Sequence, residues 1–259
     1  MPELSDVEGF RRYLARYAKG KRIDGVEVLD ATMLRNSSVQ ALGRAVRGKR
    51  FAAPERHGKW LIAPVGQTEL LVHFGMTGLL RWTSGETEHH RHDRIVFHCP
   101  GGQLRYRNMR KFGGLWLSPS DAERASVMGR LGPDAMAVGW EEFDELISRR
   151  RGKVKAALMD QKLIAGLGNL LADEVLWRAR IYPRRPMTRL SRKDRRTLYE
   201  TMGDVLRESN RRARVPSERG WLTGVRDKRG AACPRCGTEL RKATIAGRTA
   251  CWCPSCQRR

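Results

Sequence analysis

Four cysteines are spaced for a metal ion. Cys233-Pro-Arg-Cys236 and Cys253-Pro-Ser-Cys256 are two Cys-x-x-Cys pairs separated by residues 237–252. Each pair brings two thiolates to one ion, and the stretch between them is long enough for a hairpin. Four sulfurs close a tetrahedron and leave no open position, so the expected ion is one structural zinc. Of the six cysteines, Cys99 and Cys251 are left over and are expected as thiols, although Cys251, two residues from Cys253, could compete as a ligand. Cysteines used this way point to a reducing compartment rather than to disulfides. The module also carries Arg235, Arg241, Lys242, Arg248, Arg258 and Arg259, and Arg248 falls in Ala-Gly-Arg-Thr, the sequence of a hairpin tip.

A second group of residues surrounds a turn. In Leu158-Met-Asp-Gln-Lys-Leu-Ile-Ala-Gly-Leu-Gly-Asn169 a helix is expected to end near Gln161. A glycine-punctuated turn follows, and Asn169 is placed to cap the next helix. Such a cap leaves N–H groups at a positive helix end, which suits a phosphate. Lys155 and the run Arg149-Arg-Arg151 lie just upstream. A helical hairpin with glycines is also an ordinary core element, so this stretch alone leaves both readings open.

The third group is the chain start, Met-Pro-Glu-Leu-Ser-Asp-Val-Glu. Val7, Phe10, Leu14 and Tyr17 repeat at helical spacing, and Ser5 with Glu8 reads as a capping box, which starts a helix at about Asp6.

These groups sit in a strongly basic chain. The 259 residues include 51 Lys+Arg against 28 Asp+Glu, a formal charge of +23. Core packing needs no such excess, whereas a polyanionic partner does. Nucleic acid is the first candidate and an anionic membrane surface the second. No apolar run approaches about 18 residues, and no apolar segment follows a basic start, so neither a membrane span nor a secretory signal is expected. The expected location is the cytoplasm, with the nucleoid.

Different elements must position these residues. From about 22 to 117, short stretches (Ile23–Leu29, Trp60–Val65, Leu70–Phe74, Arg94–His98, Leu104–Arg107) alternate with Gly, Pro and polar residues. That is the pattern of a β-sandwich or barrel. From about 120 the periodicity becomes helical: Asp121–Met128, Trp140–Ser148, Lys153–Asp160, Asn169–Ala179 and Ser191–Arg212, the last with a capping signal at Ser191 and Asp194. Residues 213–232 are polar and glycine-rich and read as a linker or mobile loop. The fold class is therefore α+β in two lobes: an N-terminal β-sandwich with flanking helices over residues 1–130, a helical lobe over 131–225, and a zinc ribbon over 226–259.

With these pieces in order, the sequence resembles the formamidopyrimidine-DNA glycosylase / endonuclease VIII family of base-excision repair enzymes. The resemblance runs nearly end to end. It is carried by Met1-Pro-Glu-Leu, His57-Gly-Lys59-Trp, His73-Phe-Gly-Met76-Thr-Gly, His92-Asp-Arg, Arg110-Lys-Phe112-Gly, Met159 to Asn169, Ala172-Asp-Glu174 and the cysteine module ending Cys-Pro-Ser-Cys-Gln. It implies a helix–two-turn–helix lobe carrying the zinc finger, with double-stranded DNA between the lobes and a monomer at work.

The resemblance also implies roles. Met1 is removed and Pro2 becomes the nucleophile, attacking C1′ of the damaged nucleotide to release the base through a Schiff base, after which β,δ-elimination cuts the strand. An α-amino group titrates near ~8, far below Lys, which suits that task near neutrality. Glu3 is implied as the acid/base carboxylate. Lys59 is implied as a phosphate contact and proton donor for β-elimination, and Arg248 as the zinc-finger phosphate clamp and donor for δ-elimination. Met76, Arg110 and Phe112 would fill the gap left by a flipped-out base. His92, Lys155, Asn169 and Arg150 or Arg151 are implied phosphate contacts, and Glu174 a structural carboxylate near the centre. A non-catalytic damaged-DNA-binding protein on the same scaffold is the alternative, and an RNA-binding zinc ribbon a third reading.

The chain departs from the family pattern in three places, the mildest being Ser5-Asp6, where the family typically has Pro-Glu. Asn108-Met109 replaces a usual Asp-Pro, and Lys111 replaces a second Arg, beside Arg110. Residues 211–232 are short and lack the Gly-Gly-Thr start of the longer segment that closes over 8-oxoguanine in formamidopyrimidine-type members. Excision of oxidised or ring-opened bases is therefore expected, with 8-oxoguanine a poor substrate.

Overall fold

The structure, a computed structural model, describes residues 2–85 and 87–258. Met1, whose removal the resemblance implies, and Arg259 lie outside the described residues. The chain divides into two compact units, one built on Asp6–Arg130 with Pro2, the other on Leu131 onward together with Glu3–Ser5.

The N-terminal unit holds two four-stranded antiparallel sheets. The strands are β1 (Gly25–Val28), β2 (Glu55–His57), β3 (Trp60–Val65), β4 (Thr68–His73), β5 (Gly78–Thr83), β6 (Asp93–Cys99), β7 (Gly102–Asn108) and β8 (Gly114–Ser118). One sheet runs β1-β6-β7-β5 and the other β2-β3-β4-β8. Alternate residues from both sheets, such as Leu61, Ala63 and Val65 of β3 and Ile95 and Phe97 of β6, meet in one apolar core. That alternation is the period of a strand with one face inward. Helix α1 (Leu4–Tyr17) adds Val7 and Leu14 to this core.

Four strands and helices of this unit lie outside the stretches read from sequence: α2 (Val39–Val46), β2, β5 and β8. Helix α2 is a two-turn helix inside the strand-rich part, capped by the Ser38 side chain on the Ala41 N–H. Strand β5 begins on Gly78 and carries Arg81 at mid-strand, so its period is weak; its pairing with β7, from Gly78↔Asn108 to Thr83↔Gln103, makes it a strand. A Cβ on Gly78 would meet the Phe74 carbonyl oxygen at 2.4 Å, so the turn before β5 admits only glycine. After β8, helix α3 (Asp121–Met128) has the bounds read from sequence.

The second unit is helical. Helices α4 (Trp140–Ser148), α5 (Val154–Met159), α6 (Asn169–Arg178) and α7 (Arg192–Arg211) surround a core that includes Phe143, Leu158, Leu171, Val175, Leu198 and Leu206. The capping box of α7 forms as expected, with Ser191 and Asp194 bonding each other's backbone N–H. Residues 213–232 are no loose linker. Trp221, Leu222 and Arg226 are buried, and Leu222–Gly224 make a short 3-10 turn. The zinc hairpin follows as β9 (Arg241–Ile245) and β10 (Arg248–Trp252). Its turn, Ala246-Gly247, has positive φ at both residues (47° and 70°), the two-residue turn whose twist matches antiparallel strands.

No helix among the described residues is long and apolar enough to cross a membrane.

Candidate functional site

The chain start is ordered by the second unit, and not by the cap expected from sequence. Helix α1 begins at Leu4, two residues earlier than Asp6. Ser5 is buried inside the helix, with its Oγ 2.6 Å from Ser209 Oγ of α7, so it caps nothing. Glu8 turns instead to Arg11 and Arg12, at 2.7 and 2.9 Å. The first helical N–H, that of Leu4, donates to the Gly166 carbonyl at 3.2 Å. Pro2, half-buried, therefore lies immediately before a helix N-terminus, closer than the sequence suggested.

Glu3 is fully buried and acts as the cap of a different helix. Its Oε2 accepts the N–H groups of Gly168 (2.9 Å) and Leu171 (3.1 Å), and its Oε1 that of Leu170 (2.7 Å). A carboxylate at the start of α6 satisfies donors that no helical carbonyl reaches and meets the positive end of the dipole. This overturns two expectations. Asn169 is the first residue of α6 and makes no capping bond, the N-cap being Gly168. Those N–H groups, moreover, belong to Glu3 and are not offered to a phosphate. The Asn169 Oδ1 itself is buried without a hydrogen-bond partner among the described residues.

The glycine-punctuated turn makes this possible. Gly166 has φ +124°, and a Cβ there would meet Leu4 Cδ1 at 2.3 Å, so only glycine lets the chain start lie against the turn. Gln161 staples the same turn, donating to the Met159 and Leu167 carbonyls and accepting the Gly166 N–H.

In the N-terminal unit, Lys59 sits half-buried at the Gly58-Lys59 turn between β2 and β3, with Gly58 at φ 56°. Nearby His73 is pushed down to about 4, first by burial and then by the Lys59 charge, so its imidazole is neutral at pH 7. Its Nδ1 accepts the Gly75 N–H at 3.2 Å.

The loop after β7 presents Met109, Arg110 and Phe112. Phe112 is 62% exposed and Met109 52%, and the Arg110 guanidinium lies 5.1 Å from the Phe112 ring centroid. The substituted Asn108 holds the loop rigidly. Its Oδ1 accepts from Thr77 Oγ1 and the Lys111 N–H, both at 3.0 Å, and its Nδ2 donates to Tyr106 Oη and the Phe74 carbonyl. An amide can do this where a carboxylate, which only accepts, could not. Arg35 clasps the Lys111 and Gly113 carbonyls, and Lys111 pairs with Asp30 at 2.7 Å. Met76, half-buried, lies in the turn between β4 and β5, the turn whose Thr77 bonds this loop.

The other candidates divide. His92 is half-exposed, and partial desolvation, followed by Arg91, His90, Arg94 and Arg107, lowers its pKa and favours the neutral ring. Arg151 is exposed, while exposed Arg150 is tied to Asp160. Lys155 cannot serve as a phosphate contact in this structure. It is fully buried, 2.7 Å from Asp173 Oδ1 and donating to the Thr249 carbonyl at 2.9 Å. Burial lifts Asp173 to about 6 against the pull of Lys155 and Arg226, and lowers Lys155. Glu174 is also fully buried; burial lifts its carboxyl while Arg178, at 2.8 Å, works the other way. Its Oε2 accepts the Thr223 N–H at 3.2 Å and so anchors the 213–232 connector. Asp173 and Arg226 escaped the sequence reading. Asp173 lay unremarked inside the Ala172-Asp-Glu174 motif, and Arg226 inside a stretch taken for a loop, where the apolar Trp221-Leu222 pair was the signal to heed.

Arg248 is exposed at the first residue of β10 and has no ion-pair partner among the described residues. Behind it, the sulfurs of Cys233, Cys236, Cys253 and Cys256 lie within 4.8 Å of one another. Sulfurs around a tetrahedral zinc sit about 3.8 Å apart, and Cys236 Sγ is 3.5 Å from those of both Cys253 and Cys256. Trp177 Nε1 and the Arg235 N–H donate to Cys233 Sγ at 3.3 and 3.4 Å, contacts that compensate thiolate charge. The four residues fit one structural zinc ion. Cys251 is buried apart from this group, its N–H bonded to Asp173, and burial raises it to about 11; Cys99, buried in the N-terminal unit, is likewise raised to about 11.

Known proteins share this arrangement. Residues 1–115 match the family model of the formamidopyrimidine-DNA glycosylase N-terminal domain, residues 131–216 that of the formamidopyrimidine-DNA glycosylase H2TH domain, and residues 230–259 the zinc finger found in FPG and IleRS. A formamidopyrimidine-DNA glycosylase of Pelotomaculum thermopropionicum is 35% identical over 283 residues, covering 100% of this chain and 99% of the relative. The Lactococcus lactis formamidopyrimidine-DNA glycosylase non-covalently bound to DNA with an AP site is 30% identical, with a TM-score of 0.91 and full coverage of both chains. A MutM structure in complex with DNA containing carbocyclic 8-oxo-G is similar at a TM-score of 0.90 and 30% identity, again covering both chains fully.

Proposed function

The chain belongs to the formamidopyrimidine-DNA glycosylase family, which acts in base-excision repair of damaged bases, and from that premise we propose that it is a bifunctional glycosylase and abasic-site lyase with Pro2 as its nucleophile. The observation that carries this reading is Glu3. A carboxylate directly after Pro2 is buried and gripped by three backbone N–H groups, a rigid placement that a mere DNA-binding scaffold does not need.

The chemistry follows in order. The Pro2 amine, a free base after Met1 is removed, forms a bond to C1′ as the glycosidic bond breaks and the base leaves with a proton. Glu3, a carboxylate, takes the proton that the Pro2 nitrogen sheds and passes it to the ring oxygen as the sugar opens, while solvent supplies the proton on the leaving base, and an iminium remains at C1′. Loss of a C2′ proton then expels the 3′ phosphate, and a second elimination expels the 5′ phosphate. Hydrolysis frees Pro2. The positive end of α1, which begins two residues on, disfavours an ammonium at Pro2 and so favours the attacking form. Lys59 and Arg248, each on a two-residue hairpin turn or beside one, are the phosphate clamps. A guanidinium rarely gives up its proton, so Arg248 acts by charge. Met76, Arg110 and Phe112 fill the gap left by the flipped nucleotide, Phe112 as an exposed apolar wedge on a braced loop.

Lesion choice is part of the proposal. The short 213–232 connector turns Trp221, Leu222 and Arg226 inward, and 8-oxoguanine is a poor substrate beside ring-opened or oxidised bases and abasic sites. The carbocyclic 8-oxo-G duplex held by the MutM neighbour makes that lesion the first to compare.

Borohydride trapping on an abasic duplex tests the mechanism. The processed protein is expected to form a covalent adduct and Pro2→Gly to lose it together with strand scission. Active protein that retains Met1 would sink the reading and leave only the binding scaffold. Excision of 8-oxoguanine as fast as of ring-opened guanine would remove the lesion preference alone.

A further inference from the structure

Arg226 lies in the connector, yet its side chain is only 2% exposed. Its Nη1 donates to the Asn169 carbonyl at 3.3 Å and lies 2.9 Å from Asp173 Oδ2, and its Nη2 donates to the Thr249 carbonyl at 3.0 Å. These acceptors belong to the first turn of α6, the next turn of α6, and β10 at the residue after Arg248. Lys155 shares Asp173 and the Thr249 carbonyl but not the helix start.

We propose that Arg226 is a positioning residue, which fixes the cationic tip of the zinc hairpin to the helix end that Glu3 caps. A two-stranded ribbon of five residue pairs is marginal by itself, and Arg248 stands at its turn-proximal end. Two buried cations on one carbonyl, one residue from Arg248, remove the hinge by which that end would swing. Among the described residues, Arg226 alone ties this carbonyl to the carbonyl of Asn169. The planar guanidinium matters, because its fork reaches three acceptors in fixed directions, which a single ammonium does not. The Arg226 guanidinium is itself buried, with only its Nε facing the exposed Asp227 carboxylate at 3.5 Å, so its effect on DNA passes through Arg248.

This inference rests on the role given to Arg248 above. It is tested on the zinc-loaded full chain by affinity for a duplex with a stable abasic-site analogue, in a cycle of Arg226→Lys, Arg248→Ala and the two combined. Arg226→Lys is expected to keep its zinc and to weaken binding about tenfold, the worth of one charge-assisted contact. On the Arg248→Ala background it is expected to cost nothing further. Additive losses, or unchanged affinity in Arg226→Lys, overturn the proposal. A second measurement needs no variant: NMR of the guanidinium in the unsubstituted protein is expected to show slow rotation about the Nε–Cζ bond, and free rotation overturns it. Wild-type protein that ignores the abasic duplex would sink the functional reading and Arg226 with it, whereas a failed cycle in a protein that binds sinks Arg226 alone.

Discussion

Two hairpins in this molecule carry the cations proposed as phosphate clamps, and they are supported by different physics. Lys59 turns the corner between β2 and β3, and β3 is an interior strand whose Leu61, Ala63 and Val65 sit in an apolar core. Arg248 leaves the turn between β9 and β10, a ribbon that belongs to no larger sheet. The first hairpin takes its position from non-directional burial. The second takes it from a metal and from directional bonds: four thiolates behind it, and Lys155, Asp173 and Arg226 beneath it. A large domain can place a loop by packing alone, whereas a small module needs cross-links of higher strength per residue.

The sharpest break in this comparison is zinc removal. Chelation, or Cys253→Ser, is expected to unfold the hairpin, since structural zinc contributes on the order of 10 kcal/mol to such modules. Hydrogen exchange would show β9–β10 losing protection while β3–β4 keep theirs; protected β9–β10 amides without zinc would sink the idea. Next comes Lys155→Met, which takes from the buried Asp173 carboxylate one of its two cations and is expected to destabilise the second unit by about 3–5 kcal/mol in urea unfolding. Leu61→Ala is the matching cut in the first unit. It is expected to cost about 3 kcal/mol as a cavity and to leave zinc affinity untouched.

The units are also expected to differ in acid. Asp93 is buried in the N-terminal unit; burial opposes its ionised form, but Arg107, the His90 N–H and Arg105 outweigh that and hold it below the ordinary Asp value of 3.8. Its contribution is therefore present above pH 3.8 and is lost as pH falls through the depressed value. Asp173 is raised, so its contribution is complete below 3.8 and lost as pH rises through about 6. Unfolding of the N-terminal unit followed from pH 7 to 2 is expected to show an acid limb that Asp93→Asn removes; an unchanged limb in the variant would reject the assignment. The smallest effect is at the second hairpin's turn. Ala246 holds φ 47°, so Ala246→Gly is expected to stabilise the ribbon by about 1 kcal/mol, read as a higher melting temperature of the zinc-loaded protein.

Much of this was legible in residue order because the signals are local. Strand Trp60–Val65 and helices Asp121–Met128 and Trp140–Ser148 have the bounds that their apolar periods announce. The capping box of α7 and the cysteine pairs are equally local, since each needs partners only three residues apart. The Ser5–Glu8 box shows the limit of such reasoning. The pattern is present, yet Ser5 bonds Ser209 of the distant α7, and Glu8 bonds Arg11 and Arg12 of its own helix.

The sequence by itself determined the period of each element, the metal ligands, the charge that calls for a polyanion and the family to which the motifs belong. Only the tertiary structure decided that Glu3 caps α6, that Lys155 is buried rather than offered to DNA, and that Arg226 joins a helix to the zinc hairpin. The reason is the range of the forces. Propensity and periodicity act over a few residues, whereas the fate of a charged side chain is set by desolvation and by counter-charges that the chain brings near only when it folds.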